Sequence, residues 1–167
     1  MHFSHRLGVY MERVVTEILQ LLKNREIQYK LLSHEPVFTS AQAAQVRNTS
    51  ITESAKSLVL SADNQAVLAV LQGHLRIKMK DFKREFGFKN VRLASSEEVN
   101  QVTGLDIGSI PPLGFLFGIA TYIDAGISDI RNIVFNAGSH TTSLVIPTSG
   151  FLEIVDPYIG HFADSAN

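Results

Sequence analysis

Glu53-Ser-Ala-Lys56-Ser-Leu-Val-Leu60 decides the reading of this chain. A lysine stands two residues before Leu58-Val59-Leu60, within a run that has the length and composition of a buried strand. Its ammonium therefore belongs at the mouth of that strand, where a cleft can reach it. A lysine charge is costly to bury alone, so a lysine placed there either snorkels to water or meets an anion. The local sequence leaves both open, and the surrounding chain has to decide between them.

Upstream, Val14, Val15, Ile18, Leu19 and Leu22 form one apolar stripe, predicting a helix from Met11 to about Asn24. Met1–Tyr10 lacks such a period and reads as a flexible leader. Ile27–Leu32 reads as a strand, broken by His34-Glu35-Pro36. Thr39 or Ser40 caps a helix through Val46. Downstream, Asp63-Asn64 and Gln72-Gly73-His74 predict two hairpins, joining the Lys56 strand to Ala66–Leu71 and that strand to Leu75–Met79. Asp81 is expected to cap a helix to Phe86, closed by Gly87. Ser95 or Ser96 with Glu98 has the spacing of a capping box for a helix ending at Gly104. Further strands are expected at Val91–Ala94, Ile119–Ile123, Ile133–Phe135 and Ser143–Ile146, with a last helix near Gly150–Val155. The pattern predicts a single α+β or mixed α/β domain with one central sheet. Its expected bounds are 11–155, with a polar tail over 156–167.

Composition excludes several chemistries. The 167 residues include no cysteine, which removes disulfides, thiolate metal sites and cysteine nucleophiles. The six histidines show no metal-ligand spacing, so neither metal nor cofactor is expected. No apolar run spans a bilayer, and a cytoplasmic protein with no membrane contact is expected. Net charge is −1, yet seven basic residues against Asp81 and Glu85 make the Arg76–Arg92 window +5. Within it, Arg76, Lys78, Lys80, Lys83 and Arg84 form a candidate phosphate-binding patch, because a partner within a Debye length feels the patch and not the total. The alternative is a solvated helix face.

Gly104–Gly118 holds four of the eleven glycines and two of the five prolines. Gly108-Ser-Ile-Pro-Pro112-Leu-Gly114 combines freedom at both ends with a stiff centre, suiting a backbone surface that faces a ligand or one that fills a sheet end. No Gly-Lys-Ser/Thr follows, so it is no Walker loop. In Asn136-Ala-Gly138-Ser139-His140, adjacent residues of a strand point to opposite faces. Ser139 and His140 are therefore no nucleophile and base, and the segment reads as a tight turn able to line a pocket. Asp124, before Ala-Gly126, is either a turn former or a polar group at a sheet end.

The series His34-Glu-Pro-Val-Phe38-Thr, Ala55-Lys56-Ser-Leu-Val-Leu60, Val91-Arg-Leu-Ala-Ser-Ser-Glu-Glu98-Val, Gly108-Ser-Ile-Pro-Pro112-Leu-Gly114, Asp124 and Asn136-Ala-Gly138-Ser resembles the YbaK-like family. Its members are free-standing relatives of the editing domain inserted in bacterial prolyl-tRNA synthetases. The resemblance runs from about Glu12 to Val155. It implies an α+β fold, a single domain with a mixed, curved central sheet flanked by helices, and clearance of mischarged aminoacyl-tRNA by ester hydrolysis, with Lys56 as the functional lysine. It also implies a substrate pocket built from Gly108, Ser109, Pro112, Gly114, Asp124, Gly138, His140 and His34. The expected partner is the acceptor end of a mischarged tRNA carrying a small amino acid, with tRNA-Pro one candidate and a synthetase a candidate companion. The alternatives are a binding module of the same fold without turnover and a small-molecule esterase.

Overall fold

The computed structural model describes residues 2–165. Its centre is the hairpin of β2 (Ala55–Ala62) and β3 (Gln65–Gln72), paired antiparallel from Ala55 opposite Gln72 to Ala62 opposite Gln65. Asp63 and Asn64 turn the corner with φ of 47° and 65°, the left-handed pair that matches the twist of the flanking strands. Both faces of the hairpin are buried. Leu60, Ala62, Val67, Ala69 and Leu71 enter one apolar cluster, and Val59, Leu68 and Val70 enter another, following the two-residue period of a strand.

β5 (Val91–Leu93) extends this sheet antiparallel to β2, while β6 (Thr121–Asp124) and β9 (Tyr158–Gly160) add parallel strands beyond β3, making five mixed strands in the order β5-β2-β3-β6-β9. A second, antiparallel sheet runs β1-β8-β7, from β1 (Lys30–Ser33), β8 (Thr142–Pro147) and β7 (Asn132–Asn136). The two sheets meet at Ser54 and Val134, where the Val134 N–H donates to the Glu53 carbonyl at 3.0 Å. This junction lies at the entrance to β2, next to Lys56.

α1 (His2–Asn24) buries Val14, Ile18 and Leu22 in the larger cluster with Ile133, Phe135 and Leu144. The helix starts at His2, so the leader expected over Met1–Tyr10 is, from His2 on, helical. Tyr10 anchors the early turns by donating its hydroxyl to the Thr103 carbonyl at 2.9 Å. The tail expected after Val155 is also corrected. It supplies β9, Phe162 and β10 (Ala163–Ser165), and Phe162 is buried against Phe82, Phe86 and the smaller cluster.

The second expected hairpin does not form. β4 (Leu75–Ile77) leaves the sheet and pairs with β10. The Gly73 N–H donates to the Ser54 carbonyl at 2.7 Å and the Gly73 carbonyl accepts from Lys56, so the turn's polar groups bind the start of β2 instead of a ladder. α3 (Met79–Phe86) starts after Lys78, two residues before Asp81, whose carboxylate pairs with Arg84 at 2.8 Å. α2 (Ser40–Arg47) is capped by Thr39, and α5 (Thr148–Val155) follows β8 directly. Among the described residues no helix is long and apolar enough to cross a membrane.

α4 (Ser96–Thr103) carries the expected capping box, with Ser95 and Glu98 each accepting the other's N–H. Arg92 grips the same carboxylate at 2.7 and 2.8 Å. The Arg92 bonds first, and the Ser95 N–H second, hold Glu98 down at about 2. A carboxylate depressed in the fold adds stability above the ordinary glutamate range and loses it as pH falls through the folded value. A carbon-13 titration should therefore place the Glu98 midpoint near 2, and Arg92→Gln should return it toward ordinary glutamate; a wild-type midpoint in that range would contradict the pairing.

Asp124 ends β6 with a buried carboxylate. One oxygen accepts from the Gly126 N–H at 3.0 Å, and the other accepts from Phe162 and Ala163 at 2.8 and 2.9 Å. It is the clasp that holds the C-terminal strands. Asp124→Ala should cost about 2–4 kcal/mol, since it strands buried N–H groups. An unchanged urea midpoint would show that the clasp carries no stability.

Candidate active site

A cleft of about 680 Å³, open mouth included, lies where α2, the first residues of β2 and the Ile107–Ile110 segment converge. Each wall has a local cause. Thr39 caps α2 by accepting the Gln42 N–H at 3.1 Å, and Asn48 ends it in the left-handed region at φ 53°, so the short helix presents Ser40, Ala43 and Arg47 to the cleft. Gly108 sits at φ +87°, and a Cβ there would lie 3.1 Å from the His140 ring, so the backbone closes on that ring only as glycine.

Lys56 is the second residue of β2 and lines the cleft. Its ammonium donates to the Gly73 carbonyl at 3.2 Å and to the Leu75 carbonyl. Two of its three protons are thus held by the turn, leaving one for a ligand. Burial, and then the charge of Arg76, lower its pKa below the ordinary lysine value. Among the described residues no carboxylate lies within 4.0 Å of it.

The remaining expected residues separate into groups. Gly108 lines the cleft with Lys56. His140 stands just behind, with Nδ1 2.9 Å from the Val37 carbonyl oxygen and its ring 4.8 Å from that of Phe38. His34 reaches Ser143 Oγ through Nε2 at 2.6 Å, beneath the cleft. Ser109 is buried, its hydroxyl donating to the Asp106 carbonyl and its own carbonyl accepting from Gly138. Gly138, at φ +96°, closes on Val14 of α1. Pro112 and Gly114 are also buried and do not line the cleft. A Cβ on Gly114 would lie 2.4 Å from Thr121 Oγ1, so that glycine serves packing. Asp124 is the C-terminal clasp and lies outside the cleft as well. Seven of the nine expected site residues therefore lie outside the cleft lining and support the loop and the fold from behind.

Sequence reasoning missed the cleft's second cation. Arg47 is only 9% exposed and donates from Nε to Ser143 Oγ at 2.8 Å, from Nη1 to Ser54 Oγ at 3.4 Å and from Nη2 to Asn136 Oδ1 at 2.5 Å. Burial lowers its pKa to about 10. Asn136 in turn donates from Nδ2 to the Gly108 carbonyl at 2.7 Å. The Asn136–His140 turn was the one signal pointing here. Phe38, 74% exposed, and Ile107 add apolar lips.

In the expected basic patch, Lys78 pairs with Asp164 and Arg84 with Asp81, which removes two charges from it. Arg76, Lys80 and Lys83 have no carboxylate within 4.0 Å among the described residues. Nor does any group of three or more histidines, aspartates or glutamates among those residues form a metal-binding cluster.

This constellation can hold an anion or a polarised carbonyl beside the Ile107–Ile110 backbone. A family model described as "Aminoacyl-tRNA editing domain" matches residues 34–154. The multifunctional Ser/Thr-tRNA deacylase ProXp-y of Escherichia coli is 28% identical over 154 residues, covering 89% of this chain and 92% of that protein. A proline–tRNA ligase of Staphylococcus saprophyticus is 31% identical over 101 residues, 60% of this chain but 18% of the ligase. A solved candidate trans-editing enzyme for prolyl tRNA synthetase superposes with a TM-score of 0.77 at 21% identity, covering 91% of this chain and 98% of the other, a likeness of fold. The chain belongs to the aminoacyl-tRNA editing domain family, a family of hydrolases of aminoacyl-tRNA.

Proposed function

We propose that the chain clears a small amino acid from mischarged tRNA in trans, hydrolysing the ester in the Lys56 cleft without metal or covalent intermediate. The observation that carries this reading is the Lys56 ammonium, half-buried, facing the cleft and free of any carboxylate among the described residues. An aminoacyl ester is already activated, so positioning and stabilisation of the developing oxyanion do most of what catalysis requires. Lys56 anchors the phosphate of the terminal adenosine or the ester carbonyl, and the Gly108 loop orients the ester. A water attacks, helped by the neighbouring ribose hydroxyl. The exposed Phe38 ring offers a stacking surface for the terminal base. Lys80 and Lys83 meet tRNA phosphates, and the protein works in the cytoplasm with the pool of charged tRNA. The E. coli relative's name, a Ser/Thr-tRNA deacylase, supports a small substrate side chain.

The decisive assay is a deacylation panel of alanyl-, cysteinyl- and seryl-tRNA on several tRNA bodies. Lys56→Ala should lower turnover of the preferred substrate about 10²–10³-fold, the usual effect of losing one stabilising donor. Equal turnover by the variant would remove Lys56 from the mechanism. Retained tRNA binding with no turnover by the wild type would favour a binding module of the same fold.

Two further outcomes follow from the charges. Because burial and Arg76 both lower the Lys56 pKa, its ammonium should titrate below free lysine, and Arg76→Gln should raise the midpoint; a midpoint insensitive to that change would show that the two charges do not interact. Replacing Lys80 and Lys83 together by Gln should reduce the slope of log affinity for tRNA against log salt by about 2, roughly one per phosphate contact. An unchanged slope would place the tRNA backbone elsewhere.

A further inference from the structure

The buried Arg47 guanidinium poses a question that the hydrolysis reading leaves open. Cations of this kind are almost always given a carboxylate when buried, because desolvation is otherwise uncompensated. Arg47 has none within 4.0 Å among the described residues, and burial alone accounts for its lowered pKa. Its shortest bond, 2.5 Å, goes to a neutral amide, Asn136 Oδ1. An aspartate at 136 could accept the same bond and would neutralise the charge.

What an aspartate could not do is donate. Asn136 spends its other end on the Gly108 carbonyl, Nδ2 to oxygen at 2.7 Å, and a carboxylate there would repel that carbonyl. The residue type that leaves the arginine uncompensated is therefore the one that ties down the loop. Arg47 fixes the amide's orientation: a guanidinium accepts nothing, so it meets the amide oxygen and turns the NH2 group toward Gly108. Ser143 Oγ, 3.2 Å from the same Oδ1, reinforces that orientation.

We propose that Arg47 and Asn136 are positioning residues for the reaction, acting through the Gly108 carbonyl to set the backbone of the Ile107–Ile110 segment against the substrate ester. This rests on the reading of the cleft as the site of ester hydrolysis. Neither side chain takes part in bond making. Their contribution is a loop already in place before substrate arrives, which lowers the reorganisation needed to reach the transition state.

The test is Asn136→Asp, which gives Arg47 a counter-ion and replaces the donor to the Gly108 carbonyl by an oxygen that repels it. Three readouts on full-length protein separate positioning from fold support. Thermal unfolding should occur at the wild-type temperature or above. Amide hydrogen exchange over residues 107–110 should accelerate at least about tenfold while the β2 and β3 amides stay protected. On the preferred mischarged tRNA, kcat should fall about 10²-fold, as expected when transition-state positioning is lost. Unchanged exchange in the 107–110 segment would overturn the proposal, as would a fall in activity matched by a fall in melting temperature. If the wild-type protein deacylates nothing in the panel, the hydrolysis reading fails by itself, and the exchange arm still decides whether Asn136 holds the loop.

Discussion

A guanidinium buried without a carboxylate sets the terms for the rest of this structure. Arg47 leaves the last turn of α2 and reaches Ser54 at the entrance to β2, Asn136 at the end of β7 and Ser143 on β8. Both sheets and the short helix therefore share one polar node directly beneath the cleft. Hydroxyls and an amide take three of its five protons without cancelling its charge, so the cleft floor keeps a positive potential in a region of low dielectric. Lys56 adds a second cation nearby, held by the Gly73 and Leu75 carbonyls, which again satisfy donors without neutralising them. Such a cleft favours an anionic or strongly polarised ligand, in keeping with the phosphate and ester at the end of an aminoacyl-tRNA.

Carboxylates are plentiful elsewhere, and their placement sharpens the contrast. Asp124 is fully engaged by three backbone N–H groups in clasping the C-terminal strands, Glu98 is gripped by Arg92 and Ser95, and Asp164 and Asp81 neutralise part of the basic window. Each serves architecture. The two cations that line the cleft, Arg47 and Lys56, have no such partner among the described residues, and Arg76 is close enough to depress the Lys56 pKa.

How much of this could be read from the sequence depends on the range of the interaction. Short-range chemistry was legible. The Asp63-Asn64 turn, the Ser95–Glu98 capping box and the apolar stripe of α1 each declare themselves within a few residues, and all three stand as expected. Lys56 at a strand mouth was legible for the same reason. The first turns of α1 were hidden because a tertiary contact, Tyr10 to Thr103, anchors them where local periodicity is absent. The C-terminal strands were hidden because two three-residue strands and one buried phenylalanine in a polar context look like a tail. Missing them also made Asp124 look available for substrate, since two of its three partners are Phe162 and Ala163. Arg47 was the least visible. An arginine closing a short helix looks solvated until Ser54 and, from a hairpin far along the chain, Asn136 and Ser143 are brought around it.

The central claim is that the Lys56 cleft receives the aminoacylated end of tRNA. A crystal structure with a non-hydrolysable mimic, terminal adenosine 5′-phosphate carrying a seryl group through a 3′-amide, tests it most directly. The account predicts the mimic in the cleft, with the Lys56 ammonium in hydrogen-bond range of its phosphate or carbonyl oxygen and the Gly108 backbone against the amide. A mimic bound at another surface, with the cleft unfilled and Lys56 still turned to the Gly73 and Leu75 carbonyls alone, would contradict it.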